Sequence, residues 1–258
     1  LETVIDLHVS FMERLARERF VLEELEQAGI TILPGFAEQV ELVRAYYRKY
    51  YSEDKKRLVF CGINPGQFGA GKTGVPFIDF DGIGKLMPGY GGDEQERSAQ
   101  YMLSILEEYE AGAFQDAVYL TNLSWFGFAR RGRNLNYYSL PRGIRHYFTN
   151  MFAEEMKIVQ PSFIVPLSEE VGRELRHMKA NGLLEFPIAE RLPHPLHCSF
   201  PSNFEKSRDR YHACIEELTG LRRKGNTSAV RKYAAASLNP TRFKGKILRK
   251  RRAASSLT

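Results

Sequence analysis

Apolar residues recur at helical spacing from the first turn of the chain. Val4, Leu7, Phe11, Leu15, Val21 and Leu25 fall near one face of residues 2–28, with Gly29 as the stop. A second helix fits 37–51 and ends in the aromatic-rich AYYRKYY. The pattern then changes. RLVFCGIN (57–64) is a short apolar run that breaks into a glycine- and proline-rich stretch, as a strand buried on both faces does. After a long loop, 65–93, come a helix over 94–111 and the strand DAVYLTNLSWF (116–126). Helix 140–158, strand SFIVPL (162–167) and helix 168–182, stopped by Gly182, follow in turn. A weaker strand, 185–192, ends at RLPHP, and Ser202 and Glu205 have capping-box spacing at the start of a helix over 203–219.

Strands alternating with helices predict a three-layer α/β/α sandwich around a central, mostly parallel, four-stranded sheet. Ligands of such sheets sit at the carboxyl ends of the strands. Three polar residues stand at those ends: Asn64 after the first strand, Asn122 late in the second and His194 just past the fourth. They are expected to converge.

Composition changes this picture in one respect. Charged residues at 26% and apolar ones at 43% are ordinary for a globular chain. No apolar run approaches 18 residues, so an intracellular protein rather than a membrane-spanning or secreted one is expected. Cys61, Cys198 and Cys214 are too few for a disulfide framework or for the four thiolates of an iron–sulfur cluster, and neither metal nor cofactor is expected. The net charge of +6 is unevenly spread. Residues 222–258 hold twelve of the 37 basic residues and no acid, which leaves 25 basic against 31 acidic residues before them. The reading is a catalytic domain over 1–221, mildly acidic, followed by a basic, disordered tail over 222–258.

GQFGAGKT (66–73) matches the phosphate-loop pattern of nucleotide triphosphatases. That loop must run straight into a helix whose first amides hold the phosphates. Here Gly74, Val75 and Pro76 follow; Pro76 would fall inside the helix, at a cost of about 3 kcal/mol. The acidic magnesium ligand at the end of a second strand is missing too, since AVYLTN offers Thr121 and Asn122.

Read whole, GINPGQFGAGKTGVPF (62–77) resembles the first motif of the single-strand-selective monofunctional uracil-DNA glycosylases, within the uracil-DNA glycosylase superfamily, and that of a related bacterial branch. LTNLSWF (120–126) resembles the family's central strand, RRGRNLNYYSLP (130–141) a segment of form GRNL…LP, and His194–Pro195 its second catalytic motif. The matches occur in family order across most of 57–220.

The resemblance implies a monomeric base-excision repair enzyme that flips uracil out of DNA, single-stranded first and duplex second, with 5-substituted uracils as further candidate substrates. It assigns the attacking water to Asn64, stacking on the base to Phe77, reading of the uracil edge to Asn122 and a bond to O2 to His194. Gly62, Ile63 and Gly74 would line the base pocket, and Arg133 and His197 would meet DNA. These roles make chemical sense. Uracil presents O4 as acceptor and N3–H as donor, and one Asn amide satisfies both, whereas cytosine reverses the polarity. Glycosidic cleavage leaves negative charge on the departing pyrimidine, which a neutral His donor stabilises. Taken singly, each residue has a plainer reading: a turn at Asn64–Pro65, core packing at Phe77, an exposed loop at His194. The remaining alternatives are a non-catalytic nucleic-acid-binding protein of the same fold and the nucleotide triphosphatase.

Overall fold

A computed structural model describes residues 1–51 and 55–225. The basic tail beyond 225 lies outside the described residues.

The N-terminal apolar stripe forms two helices, α1 (Glu2–Leu15) and α2 (Arg19–Gln27), where one was expected. Leu15 and Val21 are six residues apart, a gap that the 3.6-residue period cannot bridge, and the chain turns between them. Next come β1 (Ile30–Ile32), the single turn α3 (Gly35–Glu38) and α4 (Val40–Tyr50).

The central sheet starts with β2 (Leu58–Gly62), every residue of which is buried. The expected loop of 65–93 contains α5 (Ala70–Thr73) and α6 (Phe80–Leu86), and α7 (Arg97–Leu106) and α8 (Ala113–Ala117) follow. β3 (Val118–Asn122) pairs parallel with β2 so that Gly62 lies opposite Asn122. After β4 (Phe128–Arg130), β5 (Arg133–Leu135) and a 3₁₀ turn over Tyr137–Ser139 comes the long helix α9 (Arg142–Val159). β6 (Phe163–Pro166) then pairs with the other edge of β2, giving the order β3-β2-β6. The chain ends in α10 (Glu169–Ala180), the single turn α11 (Pro195–Cys198) and α12 (Phe204–Thr219).

Among the described residues the central sheet has three strands where four were expected. The segment 185–192 meets β6 through one parallel bridge, Ile164 to Ile188. Pro187 has no N–H to give to a ladder, so along β6 the segment is held by Ile164 N–H to the Pro187 carbonyl, Ala189 N–H to the Ile164 carbonyl and Leu192 N–H to the Pro166 carbonyl, each at 2.9 Å. This suffices to carry the chain to His194. The expected capping box also differs: Asn203 occupies the N-cap of α12, and its side chain donates to the His197 carbonyl.

Helices cover both faces of the sheet. On one, Phe60 of β2 meets Tyr211 of α12 edge-on at 5.6 Å, and Tyr211 meets Tyr101 of α7. On the other, Tyr119 of β3 meets α4 and α9 through a buried polar network. The Tyr119 hydroxyl donates to Glu155 at 2.8 Å and lies 2.9 Å from that of Tyr47, while His8 of α1 approaches the second carboxylate oxygen at 3.2 Å. Burial pushes both tyrosines well up, so they stay protonated and able to donate. His8 stacks on Trp125, the chain's single tryptophan, at 4.1 Å.

Glu155 thus ties three helices to the sheet, and alanine there strands several buried polar groups at once. A loss of about 3–5 kcal/mol is expected, read by urea denaturation followed through Trp125 fluorescence, with the midpoint falling at constant slope. Glutamine should cost less. An alanine variant within about 1 kcal/mol of wild type would show the network to be energetically neutral.

β1, β4 and β5 form a small antiparallel sheet, order β1-β4-β5, which the sequence pattern does not announce. Strands of three residues are shorter than any periodic window. The arginine-rich segment expected as a loop is therefore a hairpin, turned by Arg131 and Gly132, both at positive φ (53° and 73°) as a type I′ turn requires.

Candidate active site

The carboxyl ends of β2 and β3 and the segment leading into α11 meet at a cavity of about 160 Å³. Asn64, Phe77, Asn122 and His194 all line it, together with Ile63. That volume is below the roughly 300–1,000 Å³ of drug-sized sites, and fits one small ring. Larger open grooves exist, such as the 710 Å³ one along the arginine hairpin, but the convergent polar groups are here.

Asn122 is 3% exposed, and its side-chain amide hydrogen-bonds to no described residue. That amide opens onto the cavity, so both its donor and its acceptor are free for a ligand. Its place depends on Gly62 across the ladder: a Cβ there would come within 2.4 Å of Asn122 Oδ1 and 2.5 Å of Phe77 Cζ. Only glycine at 62 lets the amide and the ring meet over the strand end.

Phe77 is buried and sits at φ 61°, a left-handed conformation that a bulky side chain adopts only when its surroundings impose it. Thr73 helps to do so, since its hydroxyl donates to the Ile78 carbonyl at 2.6 Å and accepts from Val75 N–H at 3.2 Å. Asp79, also buried, fixes the far side of the turn. It accepts from Gly82 N–H as the cap of α6 and from Glu96 N–H at 2.7 Å.

Asn64 is held on three sides. Its Nδ2 donates to the carbonyls of Pro65 (3.1 Å) and Leu135 (3.2 Å), and its Oδ1 accepts from Tyr137 N–H (2.8 Å). These bonds set the amide's orientation without ambiguity. Both amide protons are used, and one lone pair of Oδ1 remains.

His194 caps α11, and its Nδ1 accepts from Leu196 N–H at 3.1 Å. The neutral ring therefore carries its proton on Nε2. Burial holds the imidazole below its ordinary range, outweighing the carboxylates of Glu96 and Glu170, which pull the other way. At neutral pH the residue is an uncharged N–H donor.

Four expected contributors are outside the lining: Gly62, at the end of β2 opposite Asn122, and three that lie elsewhere. Gly74 ends α5 at φ 72° and faces Val43 and Phe36, so it shapes the turn rather than the cavity. His197 is exposed on α11 and outside the lining. Arg133 lies on the hairpin, in the separate groove with Arg130 and Arg131. Conversely, Glu96, Ser98, Asn134 and Asn136 line the cavity and were not singled out from the sequence. Asn134 and Asn136 had a signal, being two apart in the GRNLN segment and so on one face of an extended chain. Glu96, with Ser98 donating to its carboxylate at 3.1 Å, had only the capping pattern at the start of α7.

The phosphate-loop lookalike does not form a nucleotide site. α5 is four residues long, Thr73 is buried in the turn, and Lys72 is paired with Glu94.

The profile of the uracil DNA glycosylase superfamily matches residues 48–219, well over half of the chain. Among solved structures, the crystal structure of wild-type SMUG2 from Pedobacter heparinus is similar. It has a TM-score of 0.65 and 24% sequence identity, and the match covers 74% of this chain and 89% of that one. No curated protein matches.

Proposed function

As the chain belongs to the uracil DNA glycosylase superfamily, we propose that it hydrolyses the N-glycosidic bond of uracil in DNA and leaves an abasic site. The observation that carries this reading is the amide of Asn122, bonded to no described residue and open to a single-ring cavity that it shares with the Phe77 face and the His194 donor. A base inside a stack cannot reach such a cavity, so it must be extruded. Asn122 then supplies a donor to O4 and an acceptor to N3–H, Phe77 supplies the stacking face, and His194 Nε2–H meets O2 as negative charge develops there. Asn64 offers water a single acceptor position and no basic group, so water is positioned rather than deprotonated. Catalysis leans on leaving-group stabilisation.

The resemblance of motifs and the similarity of fold to a SMUG2 structure favour the single-strand-selective monofunctional branch. Arg130, Arg131 and Arg133 form no ion pair with any described residue and stand exposed or at the groove of the hairpin, which suits them to the phosphate backbone. The basic tail adds sequence-independent attraction, an expectation that rests on its composition.

The deciding experiment incubates the full chain with a single-stranded oligonucleotide carrying one uracil, without metal, and then adds alkali. Breakage at uracil only after alkali is expected. Breakage before alkali would replace the monofunctional reading, and none at all from folded protein would leave either excision of another damaged base or a nucleic-acid-binding protein without this chemistry.

Asn122→Asp tests the reading residue. The aspartate loses the donor to O4, and a buried unmatched pair costs about 1–3 kcal/mol. Single-turnover excision of uracil should fall about 10- to 100-fold, and an unchanged rate would remove Asn122 from base reading.

A further inference from the structure

With His194 neutral, Glu96 is the one formal charge among the described residues that line the active-site cavity. The side chain is half-buried at the N-cap of α7 and firmly held. Its backbone N–H donates to Asp79 at 2.7 Å. One carboxylate oxygen accepts from the Ser98 hydroxyl at 3.1 Å and the other from Ala99 N–H at 3.0 Å. Gly69 packs against it so closely that a Cβ there would stand 3.3 Å from Glu96 Cβ. No lysine or arginine among the described residues pairs with the carboxylate. Capping alone does not call for this residue, because Ser, Thr, Asp and Asn serve that purpose better.

A carboxylate only accepts hydrogen bonds, and the ground-state substrate has none to give it. Uracil in DNA carries a single N–H, at N3, which Asn122 Oδ1 takes. Deoxyribose within a strand has no free hydroxyl, since its 3′ and 5′ oxygens are esterified and its 2′ carbon bears none. The phosphates are negative and are repelled. What the carboxylate matches appears only as the glycosidic bond breaks, when the sugar becomes positive. Asn64, being neutral, offers that charge no counterion.

We propose that Glu96 stabilises the positive charge that develops on the deoxyribose, as the counterpart of His194 at the departing base. The C1′–N1 bond breaks with its electron pair going to uracil, which leaves the sugar electron-poor at C1′ and O4′. Water adds through its oxygen to C1′ and releases a proton to solvent, while the uracil anion takes one up. An interaction made only in the transition state raises the rate without tightening binding. The proposal rests on the glycosylase reading and names a further residue of the same site.

Glu96→Gln in the full chain removes the charge and keeps an amide oxygen for the cap. Its saturating single-turnover rate of uracil release should fall about 10- to 100-fold, while affinity for a uracil-free strand stays level or rises. Glu96→Ala should be slowed alike, although less stable in urea through loss of the cap. A merely structural cap predicts otherwise: glutamine near wild type and alanine slow. His194 gives an independent readout. Burial lowers its titration, and the carboxylates of Glu96 and Glu170 pull the other way. In Glu96→Gln the acid limb of the rate should therefore move to lower pH. The imidazole then stays neutral at pH 7, so a loss of rate at that pH does not come from His194. Uracil release by wild type with an unchanged rate in Glu96→Gln would overturn the proposal alone, whatever the alanine variant did. No release by wild type would overturn the glycosylase reading and the proposal with it.

Discussion

Alanine in place of His194 is expected to lower the single-turnover rate of uracil release by about 10²–10³, the usual worth of one preorganised donor to a developing anion. The geometry makes this a loss of chemistry rather than of fold. The ring stands in a one-turn helix, and its single fold-related bond is from Leu196 N–H to Nδ1, so its removal uncaps one short turn. Binding of a uracil-free strand and the urea midpoint should change little. The pH profile carries a second signature. Because the imidazole is held below its ordinary range by burial, its functional neutral form is fully populated at pH 7. The wild-type rate should be flat above neutrality and fall on acidification, on the acid side of the ordinary histidine value of about 6.5. The alanine variant should lose that acid limb along with its rate. An alanine variant with a wild-type rate would remove His194 from the mechanism. A limb that survived in a slowed variant would assign the titration to another group.

The architecture was legible where apolar runs were long and of one period. β2, β3, β6 and the helices after them lie within a few residues of their expected places, and parallel pairing follows from their alternation. That pairing is what brings Asn64, Asn122 and His194 together, from positions as far apart as 64 and 194. The small sheet was not legible. Its strands are three residues each, and the residues that make it, a Gly-turned hairpin and Ile30–Ile32, pair across nearly a hundred positions. No local pattern encodes such a pairing. The fourth strand failed for the opposite reason: its apolar content was visible, yet Pro187 prevents a regular ladder. In the site, Asn64, Phe77, Asn122 and His194, which the motifs name, line the cavity, whereas Asn134 and Asn136 of the GRNLN segment and Glu96 and Ser98, placed by tertiary approach, were not singled out. Gly74 was misassigned because a glycine in a pocket motif can serve the backbone turn as well as the ligand; its positive φ and its contact with Val43 decide for the turn.

The unforeseen sheet bears directly on catalysis, because it supplies two of the partners that orient Asn64. Leu135 ends β5 and Tyr137 opens the turn after it, and they hold opposite ends of the amide. A plain turn at Asn64–Pro65 would need no such clamp, since a turn-initiating Asn bonds its own neighbouring backbone. Here the bonds reach 71 and 73 residues along the chain. The hairpin therefore fixes the one lone pair that faces the cavity.

Asn64→Ala should accordingly remove the acceptor and loosen its holder together. Water without a fixed acceptor loses its alignment with the sugar carbon, and misplacement on the order of 1 Å costs about 10²-fold. The expected result is a saturating rate down by two orders of magnitude or more, with KM nearly constant, because the side chain has no free donor with which to bind the base. Stability should fall as well, by about 1–3 kcal/mol, as the Tyr137 N–H and two carbonyls lose their partner. Asn64→Asp separates the two effects. It keeps an oxygen for Tyr137 N–H but sets a second one against the Pro65 and Leu135 carbonyls, where Nδ2 now donates at 3.1 and 3.2 Å. Repulsion there should make aspartate the less stable variant despite its being the stronger base. Single-turnover rates measured below each variant's unfolding transition, beside urea midpoints, read both quantities. A folded alanine variant that kept the wild-type rate would reduce Asn64 to a structural clamp, and the water would need another holder among the cavity's asparagines.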